Sequence, residues 1–211
     1  MLKRAFDILS SFVGLVILFP VFIIIGILIK IDSKGPVFFL QERMGKDFRS
    51  FRILKFRTMV HEDNSGPLVT TRGDKRITRI GRYLRRYKLD ELPQLLNVLK
   101  GDMSLVGPRP EVKKYVDLFE SDYRKILTIR PGITDPASIR YSNEEAILSQ
   151  SPNLEEIYIK KILPDKIKLS IEYVKNHNII MDIMIILKTI FGIRNLGKSY
   201  EYQDNKNLSS N

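Results

Sequence analysis

Residues 8–29 read ILSSFVGLVILFPVFIIIGILI, an apolar run without a charged residue. A helix of about 20 apolar residues is long enough to enter the hydrocarbon core of a bilayer. Basic residues flank the run on both sides, with Lys3 and Arg4 before it and Lys30 and Lys34 after it. No small-residue cleavage site follows the run, so the pattern favours a membrane-embedded helix over a cleavable signal peptide.

Pro20 lies near the middle of this run. Proline removes a backbone donor and clashes with the preceding turn, so the sequence predicts a kink or break at this point. Because positive charges lie at both ends, the positive-inside rule gives no direction of crossing. From the residues alone, a spanning helix and a re-entrant helix that returns to the same face are equally favoured, since a broken helix in lipid needs partners for its freed carbonyls.

The composition restricts the partners of the protein. The 211 residues include 35 Lys and Arg against 24 Asp and Glu, a formal net charge of +11. Such an excess suits nucleic acid, anionic lipid or a phosphorylated substrate. The basic residues are dispersed and the amino-terminal run is apolar, which disfavours nucleic acid and favours a membrane surface. The absence of cysteine excludes disulfides and thiolate zinc sites and is typical of a reducing, cytoplasmic setting.

The chain divides into three predicted regions. Residues 1–34 form the membrane element, residues 35–193 form one folded domain, and residues 194–211 form a polar tail with the composition of a disordered segment. A prior of roughly 150 residues per domain favours one domain over two. Residues 61–73 lack apolar periodicity and predict a mobile loop.

The domain is predicted to be α+β and mainly helical. The turn at Gly35-Pro36 separates the membrane helix from residues 37–40 and 48–59, which predict a short β-hairpin. Residues 76–100 have the spacing of two helices that meet near residues 88–93. A further helix is predicted over residues 111–129, and one or two amphipathic helices are predicted over residues 153–177. Residues 179–193 are denser in apolar residues and predict a helix at the membrane interface or in the core.

The adjacent acids Asp90 and Glu91 are the strongest local indication of chemistry. They lie near a predicted helix start, between a basic segment and Arg109. The basic segment contains Arg82, Arg85, Arg86 and Lys88. Two carboxylates can share a divalent cation, and the surrounding cations and a helix amino terminus can hold phosphate oxygens. The pattern therefore meets the needs of phosphoryl transfer, which are positioning and charge neutralisation.

Other interpretations of these residues stay open. Asp90 and Glu91 are also typical first-turn acids that complement a helix dipole and pair with nearby arginines. The basic residues at 82–88 are equally typical of a solvated helix face or of a band at a membrane surface. On this view the protein is a non-catalytic, membrane-anchored binding protein for anionic lipid or a partner glycosyltransferase.

Five sequence blocks occur in order along the chain. They are KFRTM at 55–59, LDELPQ at 89–94, NVLKGDMS at 97–104, LVGPRP at 105–110 and RPGIT at 130–134. Together these blocks closely resemble the bacterial sugar transferase family of monotopic polyprenol phosphate phosphoglycosyl transferases, in its small form with a minimal catalytic domain. The resemblance runs from residue 2 to residue 193.

The resemblance implies a two-step transfer from a UDP-sugar to polyprenyl (undecaprenyl) phosphate. Asp90 would attack the sugar-proximal phosphate, release UMP and hold the sugar phosphate covalently until the lipid phosphate takes it, in line with the logic of carboxylate nucleophiles. Glu91 would position Mg²⁺ together with Asp90, or act as a base toward the lipid phosphate. The product would initiate a surface glycan, such as a capsule, an O-antigen-like polymer, an exopolysaccharide or a protein-linked oligosaccharide.

The resemblance also implies substrate contacts and a location. The expected phosphate or nucleotide contacts are Lys55, Arg57, Arg85, Arg109 and Arg140. The amino-terminal helix would be re-entrant, with a break near Pro20, and would place the site at the cytoplasmic face of the bacterial inner membrane. A homodimer through the carboxy-terminal helices and downstream glycosyltransferases are further candidate partners.

Two positions depart from the family pattern. Phe19 stands before Pro20 where the family often has serine, so no hydroxyl is available there for a freed carbonyl. Asp135-Pro136-Ala137-Ser138 follows the RPGIT block where many members continue with Gly-Trp-Ala-Gln. The resemblance implies that this stretch touches the sugar nucleotide, so the donor sugar is expected to differ from that of such members.

Overall fold

The computed structural model describes residues 2–60, 74–142, 144–148 and 153–195. Within these ranges the chain is mainly helical and contains two pairs of short strands, which confirms the predicted α+β class. The predicted loop at 61–73 lies outside the described residues. The last helix continues two residues into the predicted tail, and the rest of the tail lies outside the described residues as well.

The elements of the described ranges follow in chain order. They are α1 (Leu2–Asp32), β1 (Phe38–Met44), β2 (Ser50–Phe56), α2 (Arg79–Arg86), α3 (Gln94–Lys100), β3 (Ser104–Val106), α4 (Lys113–Leu118), α5 (Glu120–Ile126), β4 (Gly132–Thr134), α6 (Pro136–Arg140), α7 (Glu144–Leu148), α8 (Leu154–Ile157), α9 (Leu163–Asn176) and α10 (Ile179–Asn195). A π-helical turn, Tyr158–Ile162, joins α8 to α9.

Helix α1 is long and apolar enough to cross a membrane. It is continuous over 31 residues and Pro20 lies inside it, so the predicted interruption near Pro20 is not seen. A proline removes one hydrogen bond of the ladder, and the remaining bonds keep both halves helical. Large apolar side chains cover the exposed side of the helix: Leu9, Phe12, Val16, Ile17, Phe19, Ile23, Ile24, Ile27 and Ile31.

Polar groups fasten both ends of α1 to the same domain. Near its amino end, Arg4 donates to two carbonyl oxygens at the end of α3, at 2.7 and 3.1 Å. One turn later, the buried Asp7 carboxylate accepts from Ser104 Oγ at 2.9 Å and from the next backbone N–H of β3 at 3.1 Å. At the other end, Asp32 accepts from Ile80 N at the start of α2, at 2.9 Å. The domain thus contacts α1 at both ends.

Strands β1 and β2 form the predicted hairpin, with Phe38 opposite Phe56 and Met44 opposite Ser50 in antiparallel register. Phe56 is 1% exposed and packs in a cluster with Leu84 of α2 and two buried isoleucines of α1. Burial of such side chains stabilises the contact by roughly 1.5–3 kcal/mol for each residue. This cluster holds the end of β2 against α1 and α2.

Strands β3 and β4 form a parallel pair that the sequence analysis did not predict. Ser104 pairs with Gly132, and Val106 pairs with Thr134. A Cβ atom on Gly107 would lie 2.5 Å from a backbone oxygen, and one on Gly132 would lie 2.0 Å from a backbone nitrogen. Only glycine permits so close an approach of two backbones. The pair fixes the loop at 107–110 that leaves β3.

Candidate active site

Asp90 and Glu91 lie in a short 3₁₀ turn between α2 and α3. Lys88, just before this turn, adopts a left-handed conformation (φ 55°, ψ 21°) that redirects the chain between the two helices. Leu89 and Leu92 pack against the cluster beneath β2 and anchor the turn. Both acidic residues are therefore buried, Asp90 with 7% and Glu91 with 8% of its surface exposed.

Glu91 is bound by two cations. Its Oε1 atom accepts from Lys55 Nζ at 2.8 Å and from Arg109 Nη2 at 2.6 Å, and its Oε2 atom accepts from Arg109 Nη1 at 3.4 Å. Burial alone raises the pKa of the Glu91 carboxyl, but the charges of Arg109 and Lys55 outweigh burial and hold this pKa well below its ordinary value. The charge of Glu91 in turn raises the pKa of Arg109. Glu91 is thus ionised and fixes two cations in the site.

Asp90 has different surroundings. Its Oδ1 atom is buried and has no hydrogen-bond partner among the described residues. Burial raises the pKa of the Asp90 carboxyl, the charge of Lys55 opposes this shift, and the charge of Glu91 adds to it. Buried polar atoms without a partner are uncommon in proteins and can mark a catalytic group, a bound ion or a bound water. Ser11, Arg57, Gln94 and Ser138 each have such an atom too, but Asp90 is the one carboxylate among them.

The loop at 107–110 carries Arg109 to the acids. Gly107 N donates to Thr134 O at 3.1 Å, and Gly132 N donates to Pro108 O at 3.0 Å. These bonds tie both sides of the loop to β4. The guanidinium of Arg109 is therefore presented to Glu91 from a backbone that the parallel strand pair holds in place.

Arg85 is the third cation near the acids. Its Nη1 atom lies 3.5 Å from Thr58 Oγ1, and its charge lowers the pKa of Asp90 against the larger effect of burial. Lys55, Arg85 and Arg109 thus come from β2, α2 and the loop after β3. The structure brings these three predicted residues together with both predicted acids.

Arg57 and Arg140 contact other groups. Arg57 donates to the carbonyl oxygens of Ser33, at 2.8 Å, and of Lys34, which binds the turn after α1 to the end of β2. Arg140 has a 62% exposed side chain, and its Nε atom lies 3.3 Å from Asp165 Oδ2. Neither side chain contacts the two acids, so their role in substrate binding stays a prediction.

Asp135 is a site residue that the sequence analysis treated only as a departure from the family pattern. It is completely buried, accepts from Ser138 N at 2.7 Å as the amino cap of α6, and accepts from Arg109 N at 3.4 Å. An Asp-Pro pair at a helix start is a typical cap signal and could have identified the cap. The contact with the Arg109 backbone could not be found this way, because it depends on the pairing of β3 with β4.

Of the two acids, Asp90 has an oxygen that fits a magnesium ion shared with a substrate. The described residues contain no group of three or more His, Cys, Asp and Glu that could hold a metal. Mg²⁺ is usually bound through one or two carboxylates together with substrate phosphates. The unpartnered Asp90 Oδ1 suits such an ion, whereas Glu91 Oε1 is already bound by Lys55 and Arg109.

Comparison with known proteins identifies the family of the chain. The family model of the bacterial sugar transferases matches residues 1–195, and the chain belongs to this family. The resemblance inferred from the five blocks is therefore confirmed.

Three relatives show the range of lengths. The UDP-N-acetylgalactosamine-undecaprenyl-phosphate N-acetylgalactosaminephosphotransferase of Aeromonas hydrophila is 39% identical over 195 residues, 90% of this chain and 43% of the relative. An exopolysaccharide production protein of Rhizobium leguminosarum bv. phaseoli is 39% identical over 210 residues, 94% of this chain and 98% of the relative. The UDP-glucose:undecaprenyl-phosphate glucose-1-phosphate transferase of Caulobacter vibrioides is 34% identical over 202 residues, which are 94% of this chain and 72% of the relative. The chain thus spans less than half of the Aeromonas protein.

Proposed function

We propose that this protein transfers a sugar 1-phosphate from a UDP-sugar to polyprenyl phosphate, such as undecaprenyl phosphate, and releases UMP. The observation that carries the proposal is the buried Asp90 carboxylate, which has an unpartnered oxygen and lies next to the Glu91–Lys55–Arg109 cluster. The names of the Aeromonas and Caulobacter relatives support this donor and acceptor. The name of the Rhizobium relative supports a product that initiates a surface polysaccharide.

The proposed reaction has two displacements at one phosphorus. In the first, an Asp90 oxygen attacks the phosphorus next to the sugar, the bond to the bridging oxygen breaks, and UMP leaves with the electron pair. The sugar phosphate then remains on Asp90 as an acyl phosphate. In the second, an oxygen of the lipid phosphate attacks the same phosphorus and Asp90 leaves as a carboxylate. Such covalent catalysis divides one difficult transfer into two easier ones.

The cations of the site neutralise the diphosphate. Arg109 presents a planar fork of donors that suits two phosphate oxygens, and Lys55 and Arg85 add two further positive charges. Glu91 holds Arg109 and Lys55 by its ion pairs, and a role as base toward the lipid phosphate would require these pairs to open when the substrates bind. Asp90 would hold Mg²⁺, and Glu91 would join it only by releasing Lys55 or Arg109; when bound, the ion supplies charge neutralisation between the acids and the diphosphate.

The attachment of α1 at both ends supports a placement of both helix ends and of the domain, residues 35–193, on one face of the membrane, as a re-entrant helix requires; a bend at Pro20 stays a prediction. Arg4 and Asp32 are 28 residues apart, about 42 Å along a straight helix, which exceeds the roughly 30 Å hydrocarbon core. Both residues nevertheless bond to a single domain. A spanning helix would place them on opposite sides of the bilayer. The cytoplasmic face of the inner membrane, a homodimer and a downstream glycosyltransferase stay predictions.

The function is tested with a panel of UDP-sugars and the chain reconstituted in membranes. With Mg²⁺ and polyprenyl phosphate, we expect at least one donor to give multiple turnovers of UMP; without the lipid, UMP should stop at one equivalent per chain. EDTA should stop the release and added Mg²⁺ should restore it, because the diphosphate and acids otherwise repel each other. A folded, membrane-embedded chain that releases no UMP from any donor would contradict the proposal.

A re-entrant α1 predicts that cysteines placed at its two ends react with a labelling reagent from the same side of the membrane. The chain has no cysteine of its own, so single cysteines can replace the exposed Leu2 and Lys34, with Lys125→Cys as the marker of the domain side. A membrane-impermeant maleimide should label none of the three in intact cells and all of them in inverted vesicles. Labelling of only one end of α1 in either preparation would exclude re-entry and leave the chemistry untouched.

A further inference from the structure

The outward face of α2 carries arginine and tyrosine side chains in a stripe. The stripe consists of five exposed residues at helical spacing, Arg79, Arg82, Tyr83, Arg86 and Tyr87, and is called the α2 stripe below. Its two tyrosines are 62% and 45% exposed. The opposite face of the helix is buried through Gly81 and Leu84. The stripe therefore takes no part in core packing, and the proposed reaction uses Arg85 but no stripe residue.

The charge of the α2 stripe is not balanced by the described part of the chain. Residues 75–88 contain no acid, and none of Arg79, Arg82 and Arg86 forms an ion pair with another described residue. In contrast, exposed cations of α4 and α5 pair with acids one turn away. The Arg86 guanidinium lies 5.7 Å from the centre of the Tyr87 ring. Uncompensated charge of one sign on a surface attracts an anionic partner.

The position of the α2 stripe identifies this partner. The bond from Ile80 N to Asp32 joins the start of α2 to the end of α1. The last turns of α1 expose Ile27 and Ile31, which are 54% and 77% exposed. The chain then runs along the stripe and reaches Asp90 four residues after its last arginine. The stripe thus begins beside the end of α1, next to exposed apolar side chains of that helix.

We propose that the α2 stripe binds the headgroups of anionic phospholipids in the membrane that holds α1. Each arginine near an anionic membrane surface strengthens binding about fivefold. Tyrosine is enriched at the same level of membrane proteins, because its ring is apolar and its hydroxyl is polar. Continuity with the apolar face of α1 favours lipid over a protein partner. Headgroup binding by α2 holds Asp90 near the height at which a lipid phosphate lies.

Lipid contact is measured directly, so the result does not depend on turnover. A fluorophore is attached to the cysteine of the variant Tyr83→Cys, and in the control to that of Lys125→Cys. Each labelled chain is placed in nanodiscs with spin-labelled phosphatidylglycerol or spin-labelled phosphatidylcholine, and quenching of the fluorescence by the spin label is measured. We expect quenching at position 83 to exceed quenching at position 125 and to favour phosphatidylglycerol. Arg79→Gln, Arg82→Gln and Arg86→Gln should each lower this preference about fivefold, and high salt should lower it further.

A charge-matched variant separates the stripe from net charge. Lys113→Gln/Arg124→Gln/Lys125→Gln removes three exposed cations of α4 and α5 that pair with acids, and should keep the lipid preference at position 83. Arg79→Gln/Arg82→Gln/Arg86→Gln should lose it; if this variant does not fold, Arg82→Gln alone gives the same comparison. Equal quenching at positions 83 and 125, or by the two lipids, would overturn the proposal. Disulfide cross-linking of two Tyr83→Cys chains through position 83, without lipid quenching, would assign the surface to a second copy.

Discussion

Asp90→Asn is expected to lower the rate of UMP release by at least about 10³-fold, because the amide keeps the shape of the side chain and is a far weaker nucleophile. The rate is measured in a single turnover with the donor that the panel identifies. Intact-protein mass spectrometry provides a second measurement. Without lipid acceptor, the unmodified chain should gain the mass of one sugar phosphate, and the variant should gain none.

The matched control for this variant is Asp117→Asn. Asp117 has an exposed side chain on α4 that pairs with Lys113, so the same chemical change is made outside the candidate site. We expect its rate and its mass gain to equal those of the unmodified chain. A mass gain that persists in Asp90→Asn would assign the nucleophile to another residue and contradict the role proposed for Asp90.

Arg109→Gln is expected to lower kcat/KM for the UDP-sugar by about 10²–10³-fold, the usual cost of removing one donor to developing charge in a closed site. The substitution removes the fork of donors and leaves Glu91 with Lys55 as its remaining ion-pair partner among the described residues. Initial rates of UMP release over a range of donor concentrations measure the effect. Circular dichroism and thermal unfolding show whether the fold is retained.

Arg140→Gln provides the comparison for Arg109→Gln. Arg140 is largely exposed and lies against Asp165, so a surface ion pair worth about 0–1 kcal/mol is lost and the activity should stay within a few-fold of the original. This variant also tests the sequence-based prediction that Arg140 contacts the substrate. A loss as large as that of Arg109→Gln would place Arg140 in the substrate site.

Much of the helical framework around the acids could be predicted from local sequence. The apolar spacing of residues 76–100 predicts two helices, and the structure has α2 and α3 joined by the turn that holds Asp90 and Glu91. Gly101 ends α3 in a left-handed conformation (φ 97°), as expected for a glycine at that position. Such features depend on residues within one or two helical turns of each other, so the local sequence is enough to predict them.

Features that depend on distant contacts could not be predicted. The pairing of β3 with β4 joins residues 28 positions apart through three-residue strands, and so short a segment has no readable alternation. The family resemblance implies that Arg57 is a substrate contact, and only the structure shows that its guanidinium binds the carbonyl oxygens after α1. The buried Asp90 Oδ1 atom, which has no hydrogen-bond partner among the described residues, also depends on packing, which no local pattern reveals.

The double attachment of α1 has a consequence for the order of events during synthesis. The buried Asp7 finds its partners in Ser104 and Leu105, which leave the ribosome nearly a hundred residues later. At roughly 5–20 residues per second, this delay is about 5–20 s. If α1 enters the lipid as it is made, it does so before the groups that bind Arg4 and Asp7 have been synthesised. The early polar residues of this helix are therefore expected to stay in water or among headgroups until residues 98–105 have emerged.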